Sequence, residues 1–339
     1  MNKKRVLAML LAGAMTLSMT ACGGGNSAST DDSSNDGGAS ASGGSYKVSV
    51  ILKTLAAEYW QYVKSGAEDY AAEHSDKVTV EVKGPSSETA FDEMQNMIET
   101  DLSSGSYDGV IISPLQSDTA AQLVSGTKLP IVAVDTNFEA PEVISYVGTG
   151  NEAAAKKGAA AAVDAAKAAG WDEIKCIEIA GVQGDETCAA RMRGYEAGVN
   201  EAGGEFLTNE VQYADATADR ATTAMEAIMQ THPEGIAIIC AHNDDTAMAA
   251  ARAAKGHEAF KNTIFLGFNG DRAACEAILA GQETMSVIQD AYGMGYKAVQ
   301  AAVDNLNGKK LDSFIDSGSG IVDKDSAQER LDQLSEYLK

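Results

Sequence analysis

Seven residues spread along the chain carry side chains suited to gripping a small hydroxylated molecule: Tyr59, Trp60, Asp135, Arg191, Asn243, Asn269 and Gln289. Aromatic residues are only 6% of the sequence and Trp60 is one of two tryptophans, so adjacent rings at 59 and 60 are a local concentration. Flat aromatic faces cover the C–H-rich faces of sugars while their polar tips stay free to hydrogen-bond; the same pair could equally staple a helix to its own core. Asp135 ends the apolar run Pro130-Ile-Val-Ala-Val, where a carboxylate can accept two hydroxyl protons or cap a turn. Arg191, in Gly184-Asp-Glu-Thr-Cys-Ala-Ala-Arg-Met-Arg-Gly, offers five fixed donors to ligand oxygens. Arg193, two residues on, is expected on another face in a surface role. Asn243, Asn269 and Gln289 each follow an apolar run, and an amide both donates and accepts, as a sugar hydroxyl does. Lys53 and Thr136 stand in the same loops and complete the candidates.

These residues matter together only if the fold brings their loops to one place. Short β-branched runs alternate with Ala-rich helical stretches from Tyr46 onward, which predicts an α/β fold with parallel sheets covered by helices on both faces. Strands are expected at 48–52, 78–83, 110–112, 131–134 and 143–147, with helices at 58–74, 88–104 and near 117–125. A second series follows: strands at 174–180, 205–213, 236–240, 263–268 and 285–288, with helices at 152–169, 189–202, 219–230, 245–255 and 272–280. A helix at 292–306 and a polar C-terminal segment close the chain. Two doubly wound lobes result, 46–149 with 290–317 and 150–289 with 318–339, joined by crossings near 148–151, 287–290 and 316–320. In such sheets ligands sit outside the carboxyl ends of the strands, which is where all of the candidates fall.

At the N-terminus, Lys3, Lys4 and Arg5 precede an apolar run at 6–19 that is too short to cross a bilayer, the pattern of an export signal. It ends in Met19-Thr20-Ala21-Cys22, which matches a bacterial lipobox with Cys22 as the lipidated residue. Residues 1–21 read as signal peptide. Residues 22–45, nearly all Gly, Ser, Ala, Asn, Asp and Thr after Cys22, read as a solvated leash. A flexible chain of that length holds its cargo roughly 25–30 Å from the anchor. The formal charge of −23 repels phosphate backbones and anionic headgroups, so neither nucleic acid nor the membrane surface is an expected partner beyond the lipid anchor. Cys176, Cys188, Cys240 and Cys275 are widely spaced and form no CxxC. They predict no metal site; Cys176 and Cys240 read as small buried side chains, and export leaves one disulfide open.

The motifs Tyr59-Trp60, Val132-Ala-Val-Asp135, Ala189-Ala-Arg191-Met-Arg-Gly194-Tyr, His242-Asn243-Asp244, Gly267-Phe-Asn269-Gly270 and Gln289 resemble those of type I periplasmic binding proteins of the ribose- and galactose-binding family. The resemblance runs from Tyr46 to the last strand. It implies that Tyr59 and Trp60 stack on a sugar ring and that Asp135, Arg191, Asn243, Asn269 and Gln289 bind its hydroxyls. It further implies a monomeric lipoprotein, without enzymatic activity or cofactor, that hands a sugar to the permease of an ABC importer. Where the family has a polar residue two before the aromatic pair, an arginine after the aspartate, a second-lobe aromatic and a Gly-Phe-Asp-Gly aspartate, this chain has Ala57, Thr136, Ala218 or a neighbour, and Asn269. Those departures favour a hexose, polyol or nucleoside-like ligand over ribose. Service to a chemoreceptor or sensor kinase, or binding of a signalling ligand, uses the same fold and stays open at this stage, as does an exported hydrolase or oxidoreductase.

Two other signals carry less weight. Gly148-Thr-Gly150-Asn-Glu-Ala153, with Asp172 downstream, has the form of a dinucleotide fingerprint, but it falls at an expected crossover between lobes. His242 has no sequence partner that would make it a base, and no nucleophile elbow, Walker loop or HExxH is present.

Overall fold

The computed structural model describes residues 45–338; the expected export signal, Cys22 and leash residues 23–44 lie outside the described residues. Two sheets organise the rest. The first contains β1 (Tyr46–Ile51), β2 (Val78–Lys83), β3 (Gly109–Ile112), β4 (Ile131–Val134), β5 (Val143–Gly148) and β12 (Phe314–Asp316), in the order β12-β5-β4-β3-β1-β2 and parallel throughout. The second contains β6 (Lys175–Ala180), β7 (Glu205–Phe206), β9 (Ile238–Ala241), β10 (Ile264–Asn269), β11 (Met285–Gln289) and β13 (Ser319–Val322), in the order β13-β11-β10-β9-β6-β7. β8 (Gln212–Tyr213) pairs with β6, and among the described residues only β13 runs antiparallel to its neighbour.

Central strands are buried on both faces, as apolar runs in parallel sheets require. Val110 and Ile112 pack into one core of the first sheet while Ile111, between them, packs into the other. The core that takes Ile111 is covered by α1 (Glu58–Glu73) and α9 (Ala291–Leu306), the one that takes Val110 and Ile112 by α2 (Phe91–Ser103) and α3 (Ser117–Val124). The second sheet is flanked by α4 (Asn151–Ala168) and α5 (Glu186–Glu201) on one face and by α6 (Ala218–Thr231) and α7 (Asp244–Ala254) on the other. α1 and α9 touch backbone to backbone: a Cβ on Gly66 would lie 1.9 Å from the Tyr292 carbonyl oxygen, and one on Gly295 1.8 Å from that of Val63.

Three expectations are corrected. The strand foreseen over 205–213 is interrupted between β7 and β8 by a 3-10 turn at Thr208–Glu210, which a hydrogen bond of 2.6 Å between His232 Nε2 and Glu210 Oε2 ties to the end of α6. The helix foreseen from 189 begins at Glu186, because the Asp185 carboxylate accepts the Cys188 amide and caps it three residues early. The C-terminal segment is not a featureless polar tail: it supplies β12, β13 and α10 (Ala327–Tyr337), which packs chiefly on α8 (Arg272–Leu279) and also touches α1. The chain passes between the sheets after β5, after β11 and between β12 and β13. All four described cysteines are buried free thiols, with Cys176 Sγ and Cys240 Sγ 3.5 Å apart.

Candidate functional site

β1 and β4 flank β3 in the first sheet, and their exits carry the first group of side chains. Tyr59, in the first turn of α1, donates its hydroxyl to Asp135 Oδ1 at 2.7 Å. Burial above all, reinforced by the Asp135 carboxylate and opposed by Arg191, holds that hydroxyl well above the ordinary phenol range, so it stays a donor. Asp135 sits just past β4 in the left-handed region at φ 61°, a conformation that aspartate tolerates better than most residues. Its carbonyl accepts the Tyr146 hydroxyl at 2.7 Å and its Oδ2 the Thr136 hydroxyl at 2.8 Å, which fixes the carboxylate. Lys53 Nζ lies 4.0 Å from Asp135 Oδ2 and 5.8 Å above the Trp60 ring. Trp60 meets Tyr59 edge to face with centroids 5.0 Å apart. It is only 4% exposed, packs in the core beneath α1, and donates its indole N–H to Glu88 at 2.7 Å. Glu88 precedes α2, which starts at Phe91, three residues later than the expected helix.

The second group surrounds Arg191. α5 and β10 hold its guanidinium over the Phe268 ring, with Cζ 3.7 Å from the centroid. Nε donates to Asn151 Oδ1 at 2.9 Å and one terminal nitrogen to the His242 carbonyl at 2.6 Å, leaving further N–H groups of the fork. Asn269, ending β10, has φ 135° and accepts the Gln289 amide at 2.7 Å. Gln289, at the crossing after β11, is 5% exposed. Asn243 is the N-cap of α7: its Oδ1 accepts the Thr246 amide, and its own amide reaches only the Ala216 carbonyl at 3.4 Å. Its acceptor is thereby spent on the helix, and its N–H groups remain the part able to serve a ligand. Arg193 faces elsewhere and pairs with Glu152 and Glu186.

The two groups face one another. Arg191, on α5 against the second sheet, acts electrostatically on Tyr59 of α1, which covers the first sheet, and on Tyr146 of β5 within it. Lys53 of the first acts on His242 of the second. A direct bridge, Arg272 Nε to Glu58 Oε1 at 2.9 Å, joins the start of α8 to the start of α1. Beside these residues an open groove of about 1190 Å³ runs between the sheets, lined from one side by Thr136 and Tyr146 and from the other by Asn151 and Arg193. Another cavity, about 670 Å³, lies at the opposite end of the second sheet near Lys255 and Phe265 and contains none of them.

Asn151 and Glu178 were missed by sequence reasoning, and His242 was set aside there only as a base. Asn151 orients Arg191 from the first position of α4, just after the glycines that drew attention for another reason. His242 places its ring against Gly181, where a Cβ would come within 2.6 Å of Nδ1, and that nitrogen is buried without a partner. Burial first, then Arg191 and Lys53, push the imidazole down to about 3, so it is neutral at physiological pH. Glu178, inside β6, is buried with both carboxyl oxygens unpartnered; burial raises it to about 8 against the pull of Arg191. Among the described residues no group of three or more His, Cys, Asp and Glu side chains could hold a metal ion.

Residues 48–310, well over half of the chain, match the periplasmic binding protein domain family. The chain belongs to that family. Periplasmic binding proteins bind solutes outside the cytoplasm rather than transform them, and two hinged α/β lobes with their strand ends facing are the form they take. The ribose import binding protein of Bacillus subtilis is 28% identical over 274 residues, 80% of this chain and 85% of that protein. The D-allose-binding periplasmic protein of Escherichia coli is 29% identical over 266 residues, 76% of this chain and 83% of that one. Among solved structures, a periplasmic solute-binding protein from Actinobacillus succinogenes with bound D-allose superposes with a TM-score of 0.72 at 21% identity. That superposition covers 84% of this chain and 99% of that one, and speaks for the shared fold.

Proposed function

We propose that this protein is an extracytoplasmic lipoprotein that captures a sugar, or a similar small polyhydroxylated ligand, between its two lobes and delivers it to an ABC importer. The observation that carries the reading is the opposition of Tyr59 on α1 and Asp135 after β4, on one lobe, to Arg191 on α5 of the other, near enough for Arg191 to act on the tyrosine. Ligand bridging the lobes touches both only when they are closed, and that differential affinity shifts the hinge equilibrium. The family and the sugar-binding relatives support this assignment over a sensor partner or an enzyme. Tyr59, Trp60, Asp135, Arg191, Asn243, Asn269 and Gln289, with Lys53 and Thr136 beside them, are the proposed ligand shell. Trp60 contributes an edge of its indole, since most of the ring is in the core. Residues 46–149 with 290–317 form one proposed lobe and 150–289 with 318–339 the other. The protein acts as a monomer.

The test is calorimetry with a panel of pentoses, hexoses and polyols, followed by Arg191→Ala with the ligand found. A hydrogen bond to a charged group contributes roughly 1.5–3 kcal/mol, so affinity should fall about tenfold to a hundredfold or more. Unchanged affinity would remove Arg191 from the shell. The anchor has a separate test: fractionation should find Cys22→Ser protein released from the membrane, and retention there would exclude acylation at that residue.

A further inference from the structure

The cleft is unbalanced in charge. Lys53 and Arg191 enter it from opposite sheets, and both bear on the same His242 ring. Among the described residues Asp135 is the one carboxylate within ion-pair distance of either, 4.0 Å from Lys53 and already accepting the hydroxyls of Tyr59 and Thr136, while the acids of the neighbouring groove, such as Glu152 and Glu186, pair with Arg193. Arg191 is 5% exposed, yet every partner it has is neutral: the Asn151 amide oxygen, the His242 carbonyl and the Phe268 ring. Among the described residues no carboxylate lies within ion-pair distance of it. Glu178 does not fill that role, because its oxygens make no bond to the guanidinium and burial keeps the group protonated at neutral pH. A buried cation without a counter-charge is costly, and a ligand carboxylate would relieve it in the two-pronged geometry that a guanidinium matches best. The remaining groups, Asn243, Asn269, Gln289 and the His242 ring, are neutral and suit hydroxyls. The protein as a whole carries −23, so attraction for an anion has to come from these two side chains and not from the general field.

We infer that the ligand is an acidic sugar, an aldonate or uronate whose single carboxylate supplies the charge that Lys53 and Arg191 lack. This rests on the sugar-binding reading above and narrows it. A phosphate monoester, with close to two negative charges at neutral pH, overshoots the single uncompensated positive charge.

Calorimetry at two salt concentrations on the full-length wild-type protein, with matched pairs, decides it: galactose and galacturonate, glucose and glucuronate, glucose and gluconate, ribose and ribonate, with glucose 6-phosphate alongside. At least one acid should bind about tenfold or more tighter than its neutral parent, with the gap narrowing at high salt. Asn269→Asp keeps an oxygen for the Gln289 amide while adding a negative charge, and should erase the preference; Lys53→Gln should narrow it by an independent route. Thermal unfolding establishes that each variant is folded. If in every pair that binds the neutral sugar binds as tightly as its acid, the inference is overturned and the sugar-binding function stands. Tighter binding of the phosphate than of every carboxylate overturns the carboxylate assignment. Failure of folded wild-type protein to bind any member of the panel overturns the sugar-binding reading itself, and the inference with it.

Discussion

Glu178 lies in the middle of β6, opposite Cys240 on β9, and acts on the Cys188 and Tyr195 side chains of α5 packed above it. In the unfolded chain it titrates near 4.5, whereas in the fold it titrates near 8. Between those values the folded state holds a proton that the unfolded state has lost, so its contribution is fully present below pH 4.5 and fades as pH rises through 8. From pH 6 to pH 9 that loss amounts to about 2–3 kcal/mol. Asp244, raised to about 8 by burial and then by Asp271, and Glu283, raised by burial and then by Asp244, act in the same direction. Glu178→Gln should therefore flatten part of the fall in melting temperature between pH 6 and pH 9, and a slope equal to the wild type's would show that Glu178 does not carry the proton. An acid inside the apolar run Cys176-Ile-Glu-Ile was a visible signal in the sequence. Residue type and strand end were legible too, and they located Tyr59, Asp135, Arg191, Asn269 and Gln289. Partners were not: that Asn243 spends its acceptor on Thr246 while Asn151 reaches Arg191, 40 positions away, is decided by rotamers and by a crossing between sheets.

α10 shows what an element can contribute when its composition suggests only a solvated tail. Its hydrophobic residues are few, but Arg330 is 8% exposed and donates Nε to the Gly270 carbonyl at 3.1 Å and a terminal nitrogen to the Gln289 carbonyl at 3.3 Å. It thus holds together the ends of β10 and β11, the two strands that present Asn269 and Gln289. Arg330→Met keeps much of the packing volume but leaves both carbonyls without this donor, and unsatisfied buried groups cost about 1–3 kcal/mol each. The urea midpoint should move down by the equivalent of roughly 2 kcal/mol, with ligand affinity falling alongside; an unchanged midpoint would mean that water or backbone adjustment replaces the guanidinium. The parallel strands were legible because burial on both faces makes them continuous apolar runs bounded by helical periodicity. β7 and β8 were not, because each pairs over two residues only and the turn between them is fixed by His232, far along the chain. β12 and β13 are short and half exposed, so they lack the apolar signature altogether.

At the scale of the whole molecule, the three crossings leave the lobes free to hinge, and the contacts that span them decide how readily they part. Glu58 and Arg272 are the best-defined such pair, with Glu58 also accepting the Tyr62 hydroxyl at 2.8 Å and Arg272 reaching toward Ser335 of α10. Both side chains are about a third exposed, so solvent screening limits the pair to roughly 0.5–1 kcal/mol. The pair stands next to Tyr59, at the start of the helix that carries it, and separates if the lobes open. Its free energy therefore belongs to the closed state alone and adds to ligand residence rather than to encounter. Arg272→Ala should raise the ligand dissociation rate about two- to fivefold with little change in the association rate. Glu58→Ala should do the same, and the double variant should be no worse than either single one, since each removes the same interaction. High salt should raise the dissociation rate by more in the wild type than in the double variant, the difference being the share of the bridge. Stopped-flow measurement of the four proteins would decide it: additive effects would mean that the two residues act separately, and a slower association rate would mean that the bridge shapes the open form instead.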